Sequence, residues 1–265
     1  GHIPLSMNVI DASNMGLNSI EHLRNIELSM TNQSEMLFQE RKIILKNKSK
    51  IKGSTLRSML HKKQRMRSIY NLDSSKIKNV VEVLAKNDTW QIPTMRLLSN
   101  KAYKKYKDPE FMPLLNVLPK TKKNEWIKKI NLTPETLDEQ IIDYAEWSSN
   151  MVRYMHENGI SFMAGTDTPI GFLIPGLSLH QELEDLNNSG LSKLETIQTA
   201  TINPARYFDI QDSLGRIKSG FIADLVILNK NPLEDISNTQ SILAVIKDGH
   251  FMNRAHLDSL LSHYN

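Results

Sequence analysis

Apolar residues recur at helical spacing in three stretches of the chain, and a tight turn with a short β-forming run follows each one. In the first, Val9 to Met15 predicts a short helix stopped by Gly16, a residue suited to a left-handed cap, and NSIEHL (18–23) follows as a strand with His22 near its end. The second opens at Asp73, a natural N-cap, and continues through Ile77, Val80, Val81 and Leu84. Asn87 and Asp88 then turn into TWQIPT (89–94), a strand that Pro93 should stop. In the third, Thr133, Pro134 and Glu135 are expected to open a helix carrying Leu137, Ile141, Tyr144, Ala145, Met151, Val152 and Met155. Asn158 and Gly159 end it, and ISFMAGTD follows, apolar on both faces until its end, as a strand buried in a parallel sheet would be. A fourth strand end is expected at Gly1 to Pro4.

Helices alternating with short buried strands predict parallel α/β architecture, either an open sheet or a closed barrel, and both place ligands at the carboxyl ends of the strands. No GxGxxG and no Walker loop occurs, so the barrel is favoured. Four strand ends account for about half of a TIM-type barrel, which takes ~250 residues when complete. Two lysine-rich segments, about 30–71 and 101–133, are expected to be helical insertions. Ser178 with Gln181, and Ser192 with Glu195, have the capping-box spacing of helix starts. From Leu214 the pattern changes to short β segments (LGRI, FIADLVILN, SILAVIKDGHFM), so residues 1–207 are assigned to the barrel portion and 208–265 to a small β module and tail.

The composition of the 265 residues is that of an ordinary globular chain, 40% hydrophobic and 23% charged. The absence of cysteine excludes disulfides, iron–sulfur clusters, thiolate zinc sites and cysteine nucleophiles. No apolar run approaches the ~20 residues of a membrane span, and no secretory leader is visible, which leaves the compartment open. The net charge is +4, yet Glu40 to Arg67 holds eleven Lys or Arg against one Glu. A solvated helical insertion is the ordinary reading of such a run. Binding of an acidic partner or nucleic acid is the other, although no nucleic-acid motif accompanies it and none is expected as a partner.

Candidate chemistry lies at the strand ends. His2, His22 and Asp167 all stand at predicted carboxyl ends, which share one rim in a parallel barrel, so they can converge as ligands of zinc or a similar ion. Each alone is weak: a lone histidine is more often structural, and the Asp of a GTD tripeptide can simply cap a turn.

GHIP, SIEHL, MAGTD, PGLSLHQELEDL, TATINPAR and GRIKSGFIADLVILNKNP together resemble the metal-dependent amidohydrolase superfamily, in its imidazolonepropionase-like and prolidase-like branch. The resemblance covers most of the chain and is weakest across the two insertions. It implies strands five to eight of a (β/α)8 barrel followed by part of a small β-sandwich. It also implies that His2 and His22 are the metal-binding histidines after strands five and six, and Asp167 the aspartate after strand eight. The metal would be divalent, with zinc expected, and the complete protein would hold one or two ions. In such enzymes Asp167 takes a proton from the attacking water and passes it to the leaving group. His180 lies in a family-like helix start and is a candidate substrate contact. His61, His156, His250, His256 and His263 receive no role. The expected substrate is a small amide, cyclic amide or dipeptide, and a homo-oligomer is left open.

One departure stands out. The family's HxH of strand one occurs nowhere in the chain, and nothing upstream of His2 supplies the bridging lysine found after strand four in many members. Because the chain begins at Gly1, within a predicted strand end, we expect further sequence upstream and little or no hydrolase activity from this polypeptide alone. The competing expectation is a non-catalytic remnant that binds an acidic partner through residues 40–67.

Overall fold

The structure, a computed structural model, describes residues 1–47 and 51–262. Lys48 and Lys50 of the basic segment and His263 of the tail lie outside the described residues. In chain order the first elements are α1 (Val9–Asn14), β1 (Ser19–Glu21), α2 (Ile26–Ser29), α3 (Ser34–Asn47), α4 (Gly53–Ile69), α5 (Ser74–Lys86) and β2 (Trp90–Ile92). Then come α6 (Met95–Tyr103), α7 (Phe111–Leu114), α8 (Lys120–Leu132), α9 (Glu139–Glu157), α10 (Leu177–Asn188), α11 (Lys193–Thr199) and α12 (Ile202–Tyr207). The last are β3 (Leu225–Leu228), β4 (Ile242–Lys247), β5 (His250–Asn253) and α13 (Arg254–Ser262). Among the described residues no helix is long and apolar enough to cross a membrane. Two compact units result, Gly1–Pro93 with Asp143–Phe162, and Thr94–Ile142 with Met163 onward.

In the first unit β1 and β2 pair in parallel, Ser19 opposite Trp90 and Glu21 opposite Ile92. Parallel neighbours need a long crossover, and α2 to α5 supply it. Their apolar faces close over the pair: Ile20, Leu23, Ile26, Val80, Val81 and Leu84 are buried, as are Val152, Met155 and Phe162 from the far end of α9 and beyond. The Asp73 side chain accepts from the Ser75 and Lys76 N–H groups and starts α5 as its spacing predicts. Gly16 takes a positive φ of 90° after α1.

Two predicted strands shrink. Gly1 to Pro4 is irregular: the Gly1 carbonyl accepts from Glu21 N at 3.1 Å, but Pro4 has no N–H to continue a ladder and its carbonyl turns the chain by accepting from Met7 N. ISFMAGTD reduces to one parallel bridge between Phe162 and Gln91. Beyond it, the Ala164 N–H donates to the Thr199 carbonyl instead of to a strand neighbour.

The second unit corrects the start of the third helix. It opens at Glu139, where Asp138 accepts from the Gln140 N–H, and not at Thr133. Lys104 Nζ donates to the carbonyls of Pro134 and Thr136 while Lys107 pairs with Glu135, so these contacts hold residues 134–136 outside the helix. Tyr106, Phe111, Leu115, Trp126, Ile130 and Ile174 form an apolar cluster here. The second lysine-rich segment is therefore built on its own aromatic core, and both such segments are helical.

Of the two capping boxes, Ser192 with Glu195 is present with both reciprocal bonds. Ser178 with Gln181 is not: Gly176, at φ 81°, occupies the N-cap, and Ser178 lies inside the first turn with its N–H bonded to Ile174 O. LGRI is a turn rather than a strand. Gly215 there, at φ 84°, lies so close to Thr201 and Ile202 that a Cβ would come within 2.9 Å of their backbone atoms. The remaining β segments form one antiparallel sheet in the order β3-β4-β5. The run SILAVIKDGHFM resolves into a hairpin, with Asp248 and Gly249 both at positive φ as a two-residue primed turn requires.

Leu84, wholly buried from α5, should be a sensitive probe of the parallel pair. Leu84→Ala is expected to lower unfolding free energy by about 2–5 kcal/mol in urea titration, through lost burial and the cavity left behind.

Candidate metal centre

His22 directly follows β1, and its N–H donates to the Ile92 carbonyl of β2 at 2.9 Å. The parallel pairing thus extends to the candidate ligand itself. At that point the chain bends: His22 and Leu23 have φ of 61° and 50°, and Asn25 follows at 64°. Left-handed backbone at non-glycine residues is sparsely populated, and His, Asn and Asp tolerate it better than most. The bend turns the His22 imidazole toward the loop that carries His2.

That loop is fixed from below. Asn25 donates from Nδ2 to the carbonyls of Pro4 and Met7, at 3.0 and 2.9 Å. Its Oδ1 accepts from Arg41 Nη1, which also donates to the Leu5 carbonyl. Arg41 is fully buried, and its Nε donates to Gln64 Oε1 at 2.7 Å. Residues from α3 and α4 therefore tie down the segment bearing one histidine and the turn bearing the other.

As a result His2 and His22, twenty positions apart, bring their Nε2 atoms to 3.0 Å, with ring centres 5.0 Å apart. Two ligand nitrogens bound to one tetrahedral zinc, each at about 2.0–2.1 Å, stand about 3.3 Å apart. The contact is a hydrogen bond between the two rings, and its spacing is close to that of two neutral imidazole nitrogens on adjacent positions of one divalent ion. Among the described residues no group of three or more His, Asp or Glu side chains is preassembled as a metal site.

Asp167 belongs to the second unit, is exposed, and has a φ of 56°, so it too stands at a left-handed bend just after a β contact. His180, on α10, shares a 3.0 Å hydrogen bond through Nδ1 with Thr239 Oγ1, and burial pushes its pKa down. One ring nitrogen is thereby engaged in holding α10 to the turn before β4.

A family model described as the amidohydrolase family matches residues 91–252, more than half of the chain. The chain belongs to the amidohydrolase family. Ochratoxinase of Aspergillus niger is 36% identical to it over 89 residues, which are 33% of this chain and 18% of that protein. Among solved structures, bottromycin amidohydrolase superposes on 100% of the chain with a TM-score of 0.67 at 17% identity, using 53% of its own length. A Xaa-Pro dipeptidase with methionine bound in its active site covers 92% of the chain with a TM-score of 0.55 at 22% identity, using 42% of its length. The chain thus spans about half the length of these structures. At such identities the likeness concerns the fold, and the mixed α/β architecture described above is that of an amidohydrolase.

Two groups of buried charges escaped the sequence reading. One surrounds Glu27, Arg41 and Arg65, where Arg65 Nε lies 3.8 Å from Glu27 Oε1. The other is Glu182 of α10, wholly buried, whose carboxylate accepts from the Met95 and Arg96 N–H groups at 2.9 and 2.6 Å and so caps α6. The available signal was a glutamate on the apolar face of a helix, three residues after Leu179 and one before Leu183. Burial pushes its pKa up to about 8, against the lowering effect of the two N–H bonds. The folded state therefore holds a proton that the unfolded chain releases above pH ~4.5, so the stability associated with this group falls as pH rises from about 4.5 to 8. Melting temperatures measured across that interval should drop more steeply for the native chain than for Glu182→Gln, which has no proton to lose.

Proposed function

We propose that the complete protein is a metal-dependent hydrolase of C–N bonds in small amides, cyclic amides or dipeptides. The observation that carries this reading is the His2–His22 pair, with Nε2 atoms 3.0 Å apart at the end of β1, in a chain of the amidohydrolase family. The parallel ribbon is read as about strands five to eight of a TIM-type barrel, with residues 208–265 as part of a small β-sandwich. The related ochratoxinase, dipeptidase and bottromycin amidohydrolase supply the substrate class by analogy.

His2 and His22 would hold a divalent ion, zinc in this reading, through Nε2, with Asp167 as a further ligand. When bound, such an ion polarises the scissile carbonyl and lowers the pKa of water toward ~7. Asp167 has the proton-transfer role: it accepts a proton from the attacking water as the C–O bond forms and returns it to the nitrogen as the C–N bond breaks. His180, with Nδ1 occupied by Thr239, contacts substrate through Nε2 in this assignment.

In the full-length protein, zinc content measured by atomic absorption should fall by more than tenfold in His22→Ala. Hydrolysis of a dipeptide or N-acyl amino acid panel should vanish in chelator and return with zinc. Asp167→Asn should reduce kcat/KM by ~100-fold or more with an unchanged circular dichroism spectrum. Full turnover in chelator, or in Asp167→Asn, would overturn the reading.

A further inference from the structure

The charge that the sequence concentrates between Glu40 and Arg67 is only partly a solvated face. Arg67 and Lys63 pair with Glu40, and Arg41 is fully buried. On α4, residues 57, 61 and 65 follow at i, i+4 and i+8, which puts Arg57, His61 and Arg65 on one stripe, and all three are half-buried. α4 packs on α2, which carries the buried Glu27. Arg65 Nε lies 3.8 Å from Glu27 Oε1, and its guanidinium carbon stands 4.0 Å from the centre of the Tyr144 ring. Arg24, also half-buried, follows His22 by two residues and interacts with Arg57, Arg65 and Glu27.

This cluster is unbalanced in two respects. Four guanidiniums, Arg24, Arg41, Arg57 and Arg65, act on His61, and among the described residues Glu27 is the carboxylate that acts on both Arg24 and Arg41. Burial, and then the field of these guanidiniums, pushes the His61 imidazole down to about 2, so it adds no charge. Hydrogen bonding is also incomplete: Arg41 Nη2 and Arg65 Nε are buried donors, and Glu27 Oε2 a buried acceptor, with no hydrogen-bond partner among the described residues. Buried donors are normally satisfied, and two at one charged site call for an explanation. A water molecule would answer the hydrogen bonds but not the charge. A small oxyanion answers the donors and the charge, since its oxygens match the planar forks of guanidinium groups.

We propose that Arg24, Arg57 and Arg65, together with Arg41, form a binding site for a small oxyanion, a carboxylate or a phosphate. A macromolecular acidic partner fits less well, because the unsatisfied donors are buried and the guanidiniums around them at most half exposed. The site stands on the first unit alone. Only the source of the ligand depends on the hydrolase reading: with Arg24 in the same turn as His22, a carboxylate ligand would be that of an anionic amide substrate, whereas a preference for phosphate would mark a separate effector site.

The test is calorimetric titration of the complete protein, stripped of metal, with inorganic phosphate, N-acetylglycine and the neutral N-acetylglycinamide. One or both anions should bind and the neutral amide should not. Arg57→Gln and Arg65→Gln should each weaken the preferred anion at least tenfold, and Arg57→Lys should recover part of the loss. Lys120→Gln, on α8, should bind as the native protein does, and circular dichroism confirms that each variant is folded. Tighter N-acetylglycine supports the substrate arm, and tighter phosphate supports the effector arm. No anion binding, equal binding of the neutral amide, or folded Arg57→Gln and Arg65→Gln variants with native affinity would overturn the proposal. Because metal and turnover are not read, failure of the hydrolase assignment leaves this result standing.

Discussion

Taking a guanidinium from water into a protein interior is costly unless its hydrogens find acceptors, and Arg41 is wholly buried, with Nε and Nη1 bonded. The acceptors it finds determine the local architecture. Gln64 joins α3 to α4, the Leu5 carbonyl fixes the loop after His2, and Asn25 Oδ1 fixes the turn after His22. Asn25 in turn donates back to Pro4 and Met7. One buried charge thereby couples α3 to both imidazole-bearing segments, and the meeting of His2 with His22 follows from that lashing together with the β1–β2 register. The lysine-rich helices α3 and α4 are thus part of the support beneath the candidate centre.

The same residue links the two functional readings. The first concerns the end of β1, where two imidazoles bring nitrogens to a spacing suited to a divalent ion. The second concerns the neighbouring cluster, where positive charge outweighs its internal counterion. Cation and anion sites side by side are chemically coherent for a hydrolase whose substrate carries both a scissile amide and a carboxylate, since the second anchors the molecule while the first reacts. Each reading nevertheless has its own observations, drawn from different side chains.

Much of the scaffold was legible because its signals are local. Asp73 as a cap, Gly16 as a stop, the Ser192–Glu195 box and the apolar stripe of α5 act over a few residues, and the structure contains all of them. The misplacements have distant causes. Thr133 to Glu135 has a good helix-opening sequence, but Lys104 and Lys107 reach it from some thirty residues away and hold it in a loop. ISFMAGTD has the composition of a strand, yet the Thr199 carbonyl takes the Ala164 N–H. For the centre, residue type and strand-end position singled out His2 and His22, and these two meet. The arginine cluster was read only as a charge run, because sequence reports how many guanidiniums a segment holds and not which of them turn inward. Arg41, four residues after the buried Leu37 on the same helical face, was the one visible hint.

The left-handed bend at His22 has a further consequence. One residue both aims a candidate ligand and bends the chain, and these are separable demands: the imidazole answers the first, while the second is met by any residue that accepts φ near 60°. Asparagine or glycine there would keep the path of the backbone while removing the imidazole, whereas valine or isoleucine would disturb both at once. The tolerance of this position to exchange is therefore set by stereochemistry as well as by chemistry, and a branched side chain is excluded before any question of reactivity arises.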